Sequence, residues 1–380
     1  MGPALSSILV VLGGTLLAVL GGRQYLRRVR IDRPPIGVFN VRDLTFMFVM
    51  LVLLPPLYLH LPRWLVAAFL VVVSAGVLHL TLAPLVGRPP LIRRPPLVRR
   101  ALPALAAVGL ASAEVALVLT GHAQSTAFTA VNDVALLVIV VGVTNIWTQS
   151  GIRAGAVAAF GAVVAGYDLL ATWFLPLMTD FFTHLQALPF APAMGWGSGP
   201  GSAFVGLGDL LFIVLWPLVA EKAYSAAAGR VAALLTTGCV ALVFLAFRLD
   251  LVNRAVPAMA LIGPVIVAHQ WWLRRRHGAE RTTGEYEAAR HPDLTLPARP
   301  PAWPPADLLP ALALLDNTGG TATDASGPRR YLAVHEGRVI ATGASAGQAV
   351  HAARLADPGA VPVLALSRAP AAGLITGLGS

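Results

Sequence analysis

Apolar runs of about 20 residues recur along this chain, and that is the length a helix needs to cross the hydrocarbon of a bilayer. They lie at residues 3–22, 43–61, 64–86, 101–120, 129–148, 154–177, 202–221, 229–248 and 255–273. In hydrocarbon every backbone polar group needs an internal partner, so such runs have to be helices. The composition agrees. Of 380 residues 56% are hydrophobic and only 12% charged, and the mean hydropathy is +0.72. Soluble domains carry about 25% charge. The first run has no charged start and is followed by arginines rather than preceded by them, so it reads as a retained span and not a secretion signal. The second and third runs meet at Leu61-Pro62-Arg63, the point where the count is hardest to make.

The formal net charge is +10, and Lys222 is the only lysine. The arginines sit in loops beside the apolar runs, so membrane anchoring explains the basic character. Aromatic residues are not interleaved with the basic stretches, which argues against nucleic acid as a partner. Cys239 is the single cysteine, so neither an internal disulfide nor a cysteine-held zinc is expected, and no metal or cofactor is called for. With nine spans and the N-terminus outside, 17 Lys and Arg residues fall on the inner side and three, Arg63, Arg248 and Arg254, on the outer. The positive-inside rule then places the N-terminus outside and the C-terminus in the cytoplasm, in a bacterial plasma membrane.

The composition changes after Arg276. Residues 277–330 are rich in Pro, Gly, Ala, Thr and Asp and read as a flexible linker. Tyr331–Val334 and Arg338–Thr342 alternate like strands around a His335-Glu336-Gly337 turn; Ser345–Leu355 has helical spacing and Val361–Leu366 reads as a third strand. The expected fold is thus an all-α polytopic membrane protein of about nine transmembrane helices with a small α/β (ββαβ) C-terminal module. Its parts are residues 1–153 for helices one to five, 154–276 for helices six to nine, the linker, and the module over 331–370.

Ionisable residues inside the spans carry the chemistry, because a carboxylate in hydrocarbon costs several kcal/mol unless paired, hydrated or protonated. Asp43 stands at a span end beside Arg42 and reads as a snorkelling ion pair. Asp133, beside Asn132 near the outer end of span five, reads as hydrated at the interface. Glu114 lies mid-span without a basic neighbour and reads as a bond between helices, and His79 as a packing residue.

Asp168 and Asp209 differ because their depths match. Span six runs outward and span seven returns, and each aspartate lies roughly 14–18 Å from the loop that joins them at about 1.5 Å per residue. Adjacent antiparallel helices bring such carboxylates face to face, where two of them share a proton. That is the working state of an aspartyl protease. A transporter using the pair as a proton relay is the reading from another class, but it favours internal repeats, and none is visible.

The residues around the pair carry a family resemblance. Tyr167-Asp168, then Gly206-Leu207-Gly208-Asp209, then Pro257-Ala258-Met259 fall in order in spans six, seven and nine. This arrangement resembles the presenilin and signal peptide peptidase family of intramembrane aspartyl proteases, with motifs over residues 154–273. The resemblance implies that Asp168 and Asp209 are catalytic, and that Tyr167, Gly206, Gly208, Pro257, Ala258 and Met259 bind substrate or shape the site. Gly206 and Gly208 leave room beside Asp209 for a substrate backbone. Tyr167 offers a ring and a hydroxyl next to Asp168. Pro257 removes a backbone donor and starts the last helix, leaving extended backbone beside it. Met259 stands where the family usually has Leu, a volume-conserving change. The inferred orientation and the short outer loop point toward the signal peptide peptidases. Substrates would be transmembrane peptides, single-span proteins of type II orientation or signal-peptide remnants. The prepilin peptidases share the second motif, but a Lys usually follows it there where this chain has Leu211, and their cysteine pairs are missing.

Overall fold

The computed structural model describes residues 3–31, 41–86, 96–175, 177–196, 203–249, 251, 256–290, 331–335, 338–343, 346–357 and 363–366. The Glu336-Gly337 turn, the linker beyond residue 290 and the outer loop around Pro200 lie outside them. The chain divides into two compact units, Met1–Ala289 and Arg290–Ser380.

The first unit is mostly helical. It holds α1 (Pro3–Arg28), α2 (Val41–His60), α3 (Arg63–Val86), α4 (Pro96–Leu119), α5 (Thr126–Gln149) and α6 (Ala154–Leu169). A π turn over Leu170–Phe174 extends α6, and α7 (Leu177–Leu185) and a hairpin of β1 (Ala193–Trp196) and β2 (Ala203–Gly206) follow. Then come α8 (Leu207–Ala223), α9 (Ala226–Arg248), α10 (Ala258–His277) and α11 (Thr283–Arg290). Among the described residues seven helices are long and apolar enough to cross a membrane: α1 to α5, α6 with its π turn, and α9. The expected spans at 202–221 and 255–273 are the two that differ. The first gives its opening residues to β2, so α8 has only 17 residues. The second starts after Pro257 and runs on through Arg274, Arg275 and Arg276.

Start and stop signals are local. Ser125 caps α5 by accepting from Phe128 N at 3.1 Å, and Ser225 caps α9 by accepting from Ala228 N at 3.1 Å. Neither α6 nor α10 has a side-chain cap from its own N-cap residue, Arg153 or Pro257. Those two vacancies in the local chemistry are filled from elsewhere in the fold.

Helix α8 is the centre of the bundle. Every residue from Phe212 to Ala223 is buried, against α9, α5 and α1. Thr236 Oγ1 on α9 donates to Ile213 O at 3.1 Å, and Trp216 Nε1 donates to His269 Nδ1 of α10 at 3.1 Å. Helices α6 and α10 approach backbone to backbone. A Cβ at Gly263 would stand 2.6 Å from Ala165 Cβ and 2.7 Å from Gly161 O, so only glycine fits there. By contrast α2, α3 and α4 bury little of their length within the protein. Their apolar faces are turned to what surrounds the bundle.

The second unit contains β3 (Tyr331–His335), β4 (Arg338–Gly343), α12 (Ala346–Ala356) and β5 (Val363–Leu366). Its sheet has the order β4-β3-β5 with antiparallel neighbours, and Ala333, Ala349 and Ala353 are buried between sheet and helix. The linker expected over 277–330 opens differently. Gly278, at φ +75°, reverses the chain after α10, and Glu280, Arg281 and Tyr286 of the segment that follows lie against the bundle, the last of them on α11. The Pro- and Gly-rich composition hid this because the bonds that hold the segment are long-range.

Candidate functional site

Asp168 is the next-to-last residue of α6 and is half-buried. Its two oxygens have separate duties. Oδ1 accepts from Thr172 Oγ1 at 3.1 Å, and Oδ2 accepts from the backbone N of Met259 at 3.1 Å. The second bond supplies what α10 lacks. The first amides of a helix have no partner inside it, and a carboxylate placed there meets both the free N–H and the positive end of the helix dipole. Asp168 thereby joins α6 to the Pro257-Ala258-Met259 segment, in which Pro257 and Met259 are buried.

Asp209 sits in the first turn of α8, directly after β2, and is half-buried. Its charge lies within Coulomb reach of Asp168. Gly206, the last residue of β2 and the N-cap of α8, is close to it: a Cβ there would lie 3.3 Å from Asp209 Oδ2. Gly208 differs, with open space where its Cβ would be and an exposed backbone. Glycine at 206 therefore spares the carboxylate from crowding, and glycine at 208 leaves an opening beside it. Tyr167 packs edge-on against Phe48, with ring centroids 6.3 Å apart. Its hydroxyl is buried and has no hydrogen-bond partner among the described residues. Ala258 opens α10 between Pro257 and Met259.

The other intramembrane acids have structural duties. Asp133, read from sequence as hydrated at the interface, is only 8% exposed and accepts from Gly195 N at 3.2 Å. Asn132 beside it donates to Ala191 O and Ala193 O, both at 3.2 Å. Together they satisfy the outer edge of β1 as a third strand would, which explains why two polar groups are buried there. Glu114 is fully buried and its Oε2 accepts from Phe190 N at 3.4 Å, across to the segment before the hairpin. Phe190 has φ +56°, a left-handed conformation unusual for an aromatic residue, and that bond helps to hold it.

Sequence reasoning missed a cluster at the opposite end of the bundle, where α1, α8 and α10 end and α6 begins. Glu221 is 3% exposed and pairs with Arg23 and Arg27, at 2.7 Å each. Lys222 is equally buried, and its Nζ donates to Thr148 O at 3.1 Å and Ile152 O at 2.6 Å. The adjacent charges Glu221-Lys222 at the end of an apolar run were the available signal. Read from sequence alone they look like an ordinary loop boundary. Among the described residues no group of three or more His, Cys, Asp or Glu side chains is placed to hold a metal.

No protein family matches the sequence, and no curated protein does. A solved presenilin family intramembrane aspartate protease is similar in structure at a TM-score of 0.47 and 12% identity, over 72% of this chain and 100% of that one.

Proposed function

We propose that this chain is an intramembrane aspartyl protease of the signal peptide peptidase kind, with Asp168 and Asp209 as its catalytic pair. One observation carries the reading: two half-buried carboxylates from different helices lie within Coulomb reach of each other, and one is held by the backbone of Met259. Glu114 and Asp133 also lie within Coulomb reach of each other, but they bond to main-chain groups of the hairpin and the segment before it, whereas Asp209 has the open space at Gly208 beside it. The Asp168 and Asp209 pair is arranged for two roles.

In this reading the ionised aspartate takes a proton from water, and the water oxygen attacks the scissile carbonyl carbon while the protonated aspartate hydrogen-bonds the carbonyl oxygen. The resulting gem-diol collapses, the C–N bond breaks, and the leaving nitrogen takes a proton from the pair, which titrates as a unit. The open side at Gly208 admits the substrate backbone, and Tyr167 and the Pro257–Met259 segment line the approach. Helices α8 and α10 complete nine spans despite their short or arginine-loaded lengths, because α8 is enclosed by protein. The N-terminus lies outside and the C-terminus in the cytoplasm of a bacterial plasma membrane. Residues 1–153 form the supporting helices, 154–276 the catalytic ones, and 331–370 a ββαβ module joined by a linker. Substrates are transmembrane segments of single-span proteins or signal-peptide remnants.

The test is cleavage of a transmembrane peptide panel by purified protein in vesicles, read by mass spectrometry. Wild type should cut within the apolar segment, and Asp168→Ala and Asp209→Ala should not. A panel left whole by well-inserted wild type, or cut equally by an alanine variant, overturns the reading.

A further inference from the structure

Helix α6 carries Asp168 and helix α8 carries Asp209, and two consecutive residues after α10 bind the far ends of both. Glu280 reaches the start of α6, where its Oε2 accepts from Ala154 N at 2.8 Å and its Oε1 accepts from Gly155 N at 2.9 Å. This is a capping carboxylate supplied from 125 residues away, at a helix whose own N-cap, Arg153, offers no side-chain bond. Gln270 of α10 steadies it, with Nε2 donating to Glu280 Oε1 at 3.1 Å and to Tyr224 Oη at 3.0 Å. Arg281 takes the end of α8. Its backbone N donates to Ala223 O at 2.9 Å and its Nη2 to Glu221 O at 2.8 Å, filling carbonyls that the helix leaves free.

The spacing gives these bonds a purpose beyond capping. Ala154 stands 14 residues before Asp168, and Ala223 stands 14 residues after Asp209. At about 1.5 Å per residue each aspartate lies about 21 Å from its anchor. Because the anchors are adjacent residues of one segment, equal lengths of helix put the two carboxylates at equal depth. An axial slip of one residue between α6 and α8 would offset them by about 1.5 Å. The segment itself is held in place. Gly278 turns the chain, Thr282 and Glu285 cap α11 reciprocally at 2.7 and 3.2 Å, and the Arg281 guanidinium lies 5.8 Å from the centre of the Tyr286 ring.

We propose that Glu280 and Arg281 are positioning residues that set the relative depth of Asp168 and Asp209, an inference that rests on the protease reading. They touch neither substrate nor the reacting atoms. They act through the register of the two helices.

The test compares full-length wild type with Glu280→Gln, Glu280→Ala and Arg281→Ala in vesicles, measuring kcat and KM for a cleaved peptide at a temperature where all are folded. Glu280→Ala should lose about tenfold in kcat with KM nearly unchanged, since misplacement of reacting groups by an ångström or so acts on the chemical step. Glu280→Gln, which keeps the acceptor and loses the charge, should lie between. Arg281→Ala keeps its backbone bond and should lose less than Glu280→Ala. A second arm needs no activity. Nitroxides on cysteines replacing the exposed Leu170 and Gly208, in a Cys239→Ala background, report the offset of α6 and α8 near the aspartates. Glu280→Ala should shift or broaden that distance distribution. Wild-type kcat in Glu280→Ala, or an unchanged distribution, overturns the proposal. If wild type cleaves nothing, the protease reading fails alone, and the distance measurement still decides whether the segment sets the register.

Discussion

Helices α3 and α8 are both apolar, yet they answer to different surroundings. Helix α3 has a mean hydropathy of 2.4 over its most apolar stretch and is only 17% buried there, so its side chains meet the surrounding medium. Helix α8 is walled by protein from Phe212 to Ala223 and holds Asp209, Glu221 and Lys222. A lipid-facing helix has to be uniformly apolar, because the hydrocarbon offers no partner for a polar group. A protein-facing one can carry charge wherever a neighbouring helix supplies the partner. The helix most enclosed by protein therefore also carries three charged residues, which the apolar character of its sequence does not reveal.

The largest expected effect tests whether α8 and α6 act as one unit. Asp168→Asn and Asp209→Asn should each lower cleavage by at least about 10³-fold, and the double variant should be no worse than either, as for groups that work together. Additive losses in the double variant would separate the two roles. Stability of the inserted fold should hold, since an amide in place of a buried acid removes a desolvation cost.

Next is the charge that α8 buries. Glu221→Ala leaves Arg23, whose side chain is 11% exposed, beside an empty site, and should cost about 3–5 kcal/mol in an unfolding titration. A loss below about 1 kcal/mol would mean that water reaches this end of the bundle and that α8 is less enclosed than its burial indicates.

Glycines sharpen the contrast at smaller scale. Gly263→Ala in α10 forces a methyl against Ala165 and the Gly161 carbonyl and should destabilise by about 1–3 kcal/mol. Gly76 in α3 has nothing within 4 Å of its would-be Cβ, so Gly76→Ala should stabilise by about 0.5–1 kcal/mol. Thermal unfolding of the two variants should move in opposite directions, and shifts of the same sign would erase the distinction. The smallest effect is expected from the second unit. A chain ending after Arg290 keeps Glu280, Arg281 and α11 and should cleave at close to the full rate, whereas complete loss in a stably inserted truncation would make the module part of the enzyme.

Much of this was legible before the structure. The long apolar runs mark the helices because bilayer thickness imposes their length. The count that set Asp168 and Asp209 at one depth assumed helix from the outer loop to both, whereas β2 occupies Ala203–Gly206 and Asp209 stands in the first turn of α8. The hairpin did not announce itself. Ala193–Trp196 and Ala203–Gly206 are strands of only four residues, too short for alternation to mark them, and the edge of the first is satisfied by Asn132 and Asp133 from α5. The bonds of Glu280 and Arg281 were equally silent, since a capping residue is recognisable from sequence only when it precedes its own helix. Asp133 was misjudged for the same reason: its partner, Gly195, is 62 residues away.

The π turn after Asp168 has a consequence of its own. Leu175 N bonds to Leu170 O at 3.0 Å, five residues back instead of four, so this stretch holds one residue more than an α-helix needs. Such a turn is spare length stored beside the aspartate. Losing one residue from Ala171–Trp173 would let the chain close as ordinary helix, leaving the path from Ala154 to Asp168 untouched and the stretch beyond it with little rotation around the axis. The same loss within α8 would rotate Asp209 away from its anchored end. One of the two aspartate helices can thus absorb a change in length just beyond its aspartate, and the other cannot.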